Sequence, residues 1–477
     1  MNPIRIAIQR SSEERPLLLF LADFPDVPTE GFELQLPVWR PGRYELGNFA
    51  QNVYSVEGFT PNGDWVRLLK SDLHRWTVPA GITRVRWLIY ANELNAGSTF
   101  VDADLVYINP VNCVLYDPAR PHLPFKLVLG DLKADWSVGT ALKHEGPVFH
   151  AAHVQELMDS PILAAKSLWH QQYSVKSYDF HVWVYGDQMP DAERFINDHV
   201  RFTTAQVDAF GTFPVQEYHF LYLFPEREVR HGVEHEASTV IAMGPSEKVL
   251  TEEGYMELIS IASHELYHTW NVKKIRPSEW LPYDFTKACP SRLGYVAEGV
   301  TTYMGDLFLL ESGIIDVEGW CRIMERLIDR HLNNPGRFNL SVAESSFDTW
   351  LDGYKPGIPE RTSNIYVEGA ILAFICDVVI MDKTEEKASL QTAMTHLWER
   401  IGQRQIGLSE NIYWAALEQC IGEVGALASV RRAFCNGTGD TWLVLRAAMR
   451  SQGLELSREQ DDQGRWKSRL ERIPVEA

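Results

Sequence analysis

Hydrophobic and polar positions alternate through the first third of the chain. Phe32, Leu34, Leu36 and Val38 are interleaved with Glu33 and Gln35, and Val85, Trp87 and Ile89 alternate in the run 84–90. A period of two puts successive side chains on opposite faces and predicts strands with one buried face. Pro41-Gly42 and Asn62-Gly63 are turn signals that separate such runs. Strand patterns recur at 180–185, 218–224 and 238–243, around a predicted helix at 191–210. After about Pro245 the apolar spacing lengthens to three and four. Helices are predicted at 250–270, 295–312 (stopped by Gly313), 317–332, 366–381 and 390–401. The expected fold class is therefore α+β and multidomain. A β-rich amino-terminal domain occupies residues 1–170, and a second domain occupies 171–477. The second domain has a mixed α/β lobe at about 171–245 and a helical lobe at about 246–477.

Composition narrows the classes of function. The 477 residues are 45% hydrophobic, normal for a globular protein, and 45 Lys and Arg stand against 64 Asp and Glu, a formal charge of −19. That sign excludes a non-specific binder of nucleic acid or anionic membranes. Six cysteines occur singly with no CxxC pair, which fits a reducing compartment and no disulfide framework. The most apolar window, 369–381, is interrupted by Asp377 and falls short of the roughly 20 residues of a membrane span. The first nine residues lack a basic segment followed by an apolar core. The expectation is a cytoplasmic protein with no membrane segment.

The strongest chemical signal is His264-Glu265-Leu266-Tyr267-His268. Residues four apart share one face of a helix, so both imidazoles can reach one metal ion while Glu265 points at its open coordination position. The plain alternative is a helix with two surface histidines. A catalytic zinc takes three protein ligands and a water. Glu298 is the best candidate for the third, because it lies in the first turn of the helix predicted at 295–312, thirty positions after His268. Asp306 and Glu311 are weaker candidates on the same helix. An acid in a first turn also complements the helix dipole without any ligand role.

The continuation Thr269-Trp-Asn-Val-Lys-Lys-Ile-Arg-Pro277 resembles the signature of the M61 glycyl aminopeptidases, gluzincin metallopeptidases. Pro37-Val-Trp-Arg-Pro-Gly-Arg-Tyr44 is similar to a segment of that family's amino-terminal domain, and Gly232-Val-Glu-His235 to its Gly-Leu-Glu-His. The resemblance spans about residues 30–450. It implies an amino-terminal β domain followed by a thermolysin-like catalytic domain, with Glu298 in Ala297-Glu-Gly299 as the third zinc ligand. Many members add a PDZ module, for which the residues after the last helices leave no room.

Related M1 aminopeptidases carry a Gly-x-x-Glu-Asn strand whose glutamate binds the substrate amine. By that likeness Glu234, on the strand-like run ending at Met243, becomes the amine anchor. Tyr366 in Asn364-Ile-Tyr-Val-Glu-Gly369 resembles the oxyanion-binding tyrosine of the clan, with Glu368 where the clan has lysine. Tyr303 and Tyr267 are the alternatives for that role. Lys273, Lys274 and Arg276 are read as contacts to a peptide carboxylate or as a structural turn, with no catalytic role.

The expectation is a zinc-dependent aminopeptidase with one Zn2+ per chain, held by His264, His268 and Glu298. Glu265 and Tyr366 are its catalytic side chains, and peptides with a free amino terminus, glycine or alanine first, are its substrates. A metallo-endopeptidase, another zinc hydrolase such as an epoxide hydrolase, and a non-catalytic scaffold for partner binding stand as alternatives.

Overall fold

The computed structural model describes residues 2–12, 14–130, 132–354 and 357–474. The chain forms two compact units, each assembled from separate stretches of sequence. The first comprises Met1–Ile196, Val215–Leu258 and Pro282–Ala288, and the second Asn197–Pro214, Ile259–Leu281 and Cys289–Ala477.

The first unit contains an eight-stranded sheet of the amino-terminal segment, in which Ile4–Arg10 pairs parallel to Phe125–Leu129 and antiparallel to Leu17–Asp23. Arg84–Tyr90 lies in it with the burial alternation that its period implies. A five-stranded sheet follows, in the order Trp169–Val175, Tyr178–Gly186, Glu217–Phe224, Ser238–Gly244 and Val229–Glu234. Its three central strands are parallel, and its two edge strands are antiparallel to their neighbours. Parallel strands covered on both faces read as continuous apolar runs. Ser238–Gly244 is accordingly buried at every position. A core cluster joins Leu94, Leu105, Tyr107 and Leu163 from the amino-terminal segment to Leu221, Leu223, Val233, Val240 and Ala242 from this sheet.

Gly232 to Glu234 belongs to its own strand, Val229–Glu234, which forms a hairpin with Ser238–Gly244. The expected single run to Met243 is broken because His235 turns the chain, its amide donating to the Ser238 carbonyl at 2.8 Å.

The second unit is helical. Val317–Leu332 forms as expected, started by the Asp316 carboxylate, which accepts from the Gly319 amide at 2.8 Å. Ile365–Thr384 is buried along nearly its whole length, so it is apolar all round rather than on one stripe. The run 295–312 is one continuous helix with two geometries, a π-helix at Tyr295–Val300 and an α-helix at Thr301–Glu311. The charged end of the chain folds as a hairpin of Leu454–Gln460 and Trp466–Arg472, turning at Gly464 with φ 74°. Leu454, Leu456 and Leu470 are its buried residues, too few to register as a strand pattern among the charges. Among the described residues no helix is long and apolar enough to cross a membrane.

Candidate active site

The helix Glu252–Tyr267 carries His264 and Glu265, and the His268 amide extends its bonding pattern by donating to the His264 carbonyl at 3.2 Å. The helix stops there, short of the expected Trp270, because the next residues close successive turns around the His268 carbonyl, which accepts from Val272 and Lys273. Gly305 lets the following helix approach this one closely, since a Cβ there would fall 2.9 Å from the His264 Cα. The Ser263 hydroxyl ties the same pair by donating to the Gly305 carbonyl at 2.7 Å.

Glu298 is delivered by a second close approach. Gly299 packs against Gly369 of the buried helix Ile365–Thr384 so tightly that a Cβ on either would overlap the other's backbone. Glycine is required at both positions for steric reasons, and the contact fixes the rotation of the π-helical turn on which Glu298 sits.

The three side chains converge. His264 Nε2 and His268 Nε2 are 3.0 Å apart, with the rings nearly perpendicular at 88°. A Glu298 carboxylate oxygen lies 3.4 Å from the His268 nitrogen and 3.7 Å from that of His264. Ligands of a tetrahedral zinc with bonds of about 2.0–2.2 Å are separated by roughly 3.3–3.6 Å, so the donor set fits such an ion. His268 is held in the right tautomer, because its Nδ1 donates to the Asn271 carbonyl at 2.7 Å and leaves the Nε2 lone pair facing the other two donors. Burial raises the Glu298 pKa, and only when the imidazoles of His268 and His264 are protonated do their charges and hydrogen bonds outweigh it and hold the carboxyl well below the usual carboxylate range. Glu265, beside His264, is buried at 6% exposure. The Asp306 carboxylate instead accepts from Ser260 at 2.6 Å, and Glu311 lies at the end of its helix with its pKa raised by burial and by Asp377.

Sequence reasoning missed Asn271 and Thr301. The Asn271 side chain donates to the Val296 carbonyl at 2.9 Å and to the Thr301 hydroxyl at 3.0 Å, joining the segment after the histidines to the turn that carries Glu298. Asn271 lies inside the Trp-Asn-Val run, but nothing in the local pattern signals a bond 30 residues away.

Of the three tyrosines, Tyr303 donates to Asp377 at 2.7 Å and Tyr267 to Gln391 at 2.9 Å. Both are buried, with pKa values raised first by burial and then by Asp377. Tyr366 starts the helix Ile365–Thr384 and is half-buried, its hydroxyl 3.3 Å from that of Tyr354. Asn364 caps that helix, its side-chain oxygen accepting from the amides of Tyr366 and Val367 at 3.1 Å each. Glu368 is buried and bonded to His331 Nδ1 at 2.8 Å, while His331 Nε2 is 2.7 Å from the Thr441 hydroxyl. An acid is therefore accommodated at this position because a histidine of a neighbouring helix meets it. Arg276 is buried and donates to the Lys273 carbonyl at 2.7 Å, a bond that shapes its own turn.

Glu234 is placed in the first unit, at the end of its edge strand and 3% exposed. The Pro-Gly turn explains its surroundings. Gly42 has φ 76°, and a Cβ there would collide with the Glu234 carboxylate, so only glycine brings this backbone against the acid. Arg40 is buried in the same place, 3.1 Å from His231 Nε2, and Trp39 donates to the Asp284 carbonyl at 2.7 Å. Burial first, and then Arg40 and Arg43, lower the His231 pKa to about 3.

The family model described as M61 glycyl aminopeptidase matches residues 257–372, and that of the peptidase M61 amino-terminal domain matches residues 8–166. Among solved structures, an aminopeptidase N family protein from Idiomarina loihiensis is similar with a TM-score of 0.88 and 23% identity, over 97% of this chain and 80% of that one. The M1 zinc metallopeptidase from Deinococcus radiodurans is similar at 0.52 and 13% identity, over 92% of this chain and 93% of that one. A mutant of it bound to a Tyr-Ser-Ala substrate is similar at 0.51 and 14% identity, over 90% and 92%. No curated protein matches the sequence. The architecture is thus a β-rich amino-terminal domain followed by a thermolysin-like arrangement, and the class of protein is a peptidase. The two models together cover more than half of the chain, which belongs to the M61 glycyl aminopeptidase family.

Proposed function

We propose that this peptidase is a zinc-dependent aminopeptidase, cytoplasmic, that removes a small first residue, glycine or alanine, from peptides with a free amino terminus. The observation that carries the reading is the convergence of His264, His268 and Glu298 at the 3.0–3.7 Å separations of a metal donor set. These residues would hold one Zn2+. When bound, the ion supplies Lewis-acid chemistry, acidifying a water and polarising the scissile carbonyl. Glu265 accepts the proton of the attacking water and passes it to the departing amine. Tyr366 donates a hydrogen bond to the oxygen on which charge develops. It is the candidate by its likeness to the clan's oxyanion-binding tyrosine, while the hydroxyls of Tyr303 and Tyr267 are given to Asp377 and Gln391. Glu234 binds the protonated amine of the substrate. The division at residue 170, with the catalytic domain at 171–477, belongs to the same proposal.

The test is a panel of aminoacyl fluorogenic substrates assayed with chelator, without it, and after zinc is restored. Hydrolysis of the glycyl and alanyl members that is lost with chelator and regained with zinc is the expected result. Activity indifferent to chelator overturns the zinc assignment.

A further inference from the structure

A second set of two histidines and a carboxylate lies in the first unit, on the central strands of the five-stranded sheet. The residues are His181, Glu217 and His219, and one donor atom from each lies within 4.8 Å of the others. They share a face by register, since His181 pairs with His219 and Asp179 with Glu217 across the parallel strands Tyr178–Gly186 and Glu217–Phe224. His170, on the neighbouring edge strand, extends the group, with its Nε2 3.0 Å from His181 Nδ1. The three rings lie nearly parallel, the His170 and His181 centroids 5.3 Å apart and those of His181 and His219 4.6 Å apart.

Imidazoles this close cannot all be charged, because each cation would repel the next. Burial first, and then the other histidines, push the His219 pKa down to about 3, and burial and His181 lower that of His170. A neutral imidazole nitrogen is the form that offers a lone pair to a metal. Glu217 is exposed, so the group is open to solvent on the side where the carboxylate stands. We propose that His181, His219 and Glu217 form a second binding site for a divalent first-row transition metal, with His170 bonded to His181 as its outer support. Mixed nitrogen and carboxylate donors favour Zn2+, Ni2+ and Cu2+ over the oxygen-seeking Mg2+ and Ca2+.

The site is weaker than one built only for metal. The Trp183 indole donates to His219 Nδ1 at 3.1 Å, so neutral His219 keeps its proton on Nε2. An ion on Nε2 requires the tautomer with the proton on Nδ1, and an ion on Nδ1 takes the lone pair that the indole now uses, so in either case the Trp183 bond is given up. Binding joins two parallel strands that are distant in sequence and so raises the melting temperature as metal is added.

The experiment is calorimetric titration of the purified full-length protein with Zn2+, with Mg2+ as control, in parallel with His181→Ala and Glu217→Gln. Glu217 is exposed, so its variant keeps the fold, and both variants keep aminopeptidase activity. The wild type should bind one equivalent of Zn2+ more than either variant, whatever the His264 centre holds, or bind it at least tenfold more tightly. Mg2+ should give no such step. Equal stoichiometry and affinity in wild type and both variants overturns the site, and so does an equal Mg2+ step.

Discussion

His268 illustrates how one backbone carbonyl would prepare the proposed metal ligand. By accepting from Nδ1, the Asn271 carbonyl commits Nε2 to the side shared with His264 and Glu298. Removing the carboxylate leaves two imidazoles, an incomplete set for zinc. Glu298→Ala should therefore lose zinc on dialysis, as read by elemental analysis, and stoichiometric retention would shift the role to another acid. Glu265→Gln keeps volume and polarity but cannot take a proton. It should retain zinc while kcat falls about 100-fold or more, and near-normal turnover with metal bound would exclude Glu265 as the base. Tyr366→Phe removes only a hydroxyl, so its loss, of order 100-fold, should appear in kcat rather than KM.

At the level of elements, the five-stranded sheet carries a pH liability. His219 and His231 have folded-state pKa values of about 3 against an ordinary 6.5. Their contribution to stability is complete above about pH 6.5. As the pH falls further the unfolded chain takes up protons that the folded one refuses, and the contribution is lost progressively down to about pH 3. Each histidine can account for at most about 1.4 kcal/mol per pH unit in that interval. The melting temperature should fall between pH 7 and 5, and His231→Gln, which still accepts from Arg40, should flatten that fall. An identical pH profile in the variant would count against a neutral, half-buried His231.

What the sequence discloses at this scale follows the range of the forces involved. The 317–332 helix and the 84–90 strand are legible because their periodicity is local, and the spacing of His264 and His268 is set by a single helical turn. The π-helical geometry around Glu298 is not legible, because it accompanies the contact of Gly299 with Gly369, 70 positions on. The pairing of Glu368 with His331 and the bond from Asn271 to Thr301 are hidden for the same reason. The hairpin of Gly232 to Glu234 was obscured because two short strands and a tight turn read as one apolar run.

For the whole molecule, the exopeptidase reading rests on Glu234 as the anchor of a protonated amine, a charge-assisted bond worth roughly 1.5–3 kcal/mol. Peptides with a free amino terminus should be cleaved one residue at a time and their acetylated counterparts hardly at all. Glu234→Ala should narrow that gap by damaging the free-amine reaction. The comparison is kcat/KM on matched peptides with mass analysis of products, and internal cleavage or equal rates would defeat the assignment. The core cluster that joins Leu94, Leu105, Tyr107 and Leu163 to Leu221, Val233, Val240 and Ala242 also sets a timetable for biosynthesis. At about 5–20 residues per second, the ribosome delivers the first half of that cluster on the order of ten seconds before the second. For that interval the nascent chain presents an apolar surface whose natural cover has not yet been made. Holdase chaperones therefore have a defined moment at which to engage this protein, and a product arrested near residue 170 would present that surface for its whole lifetime.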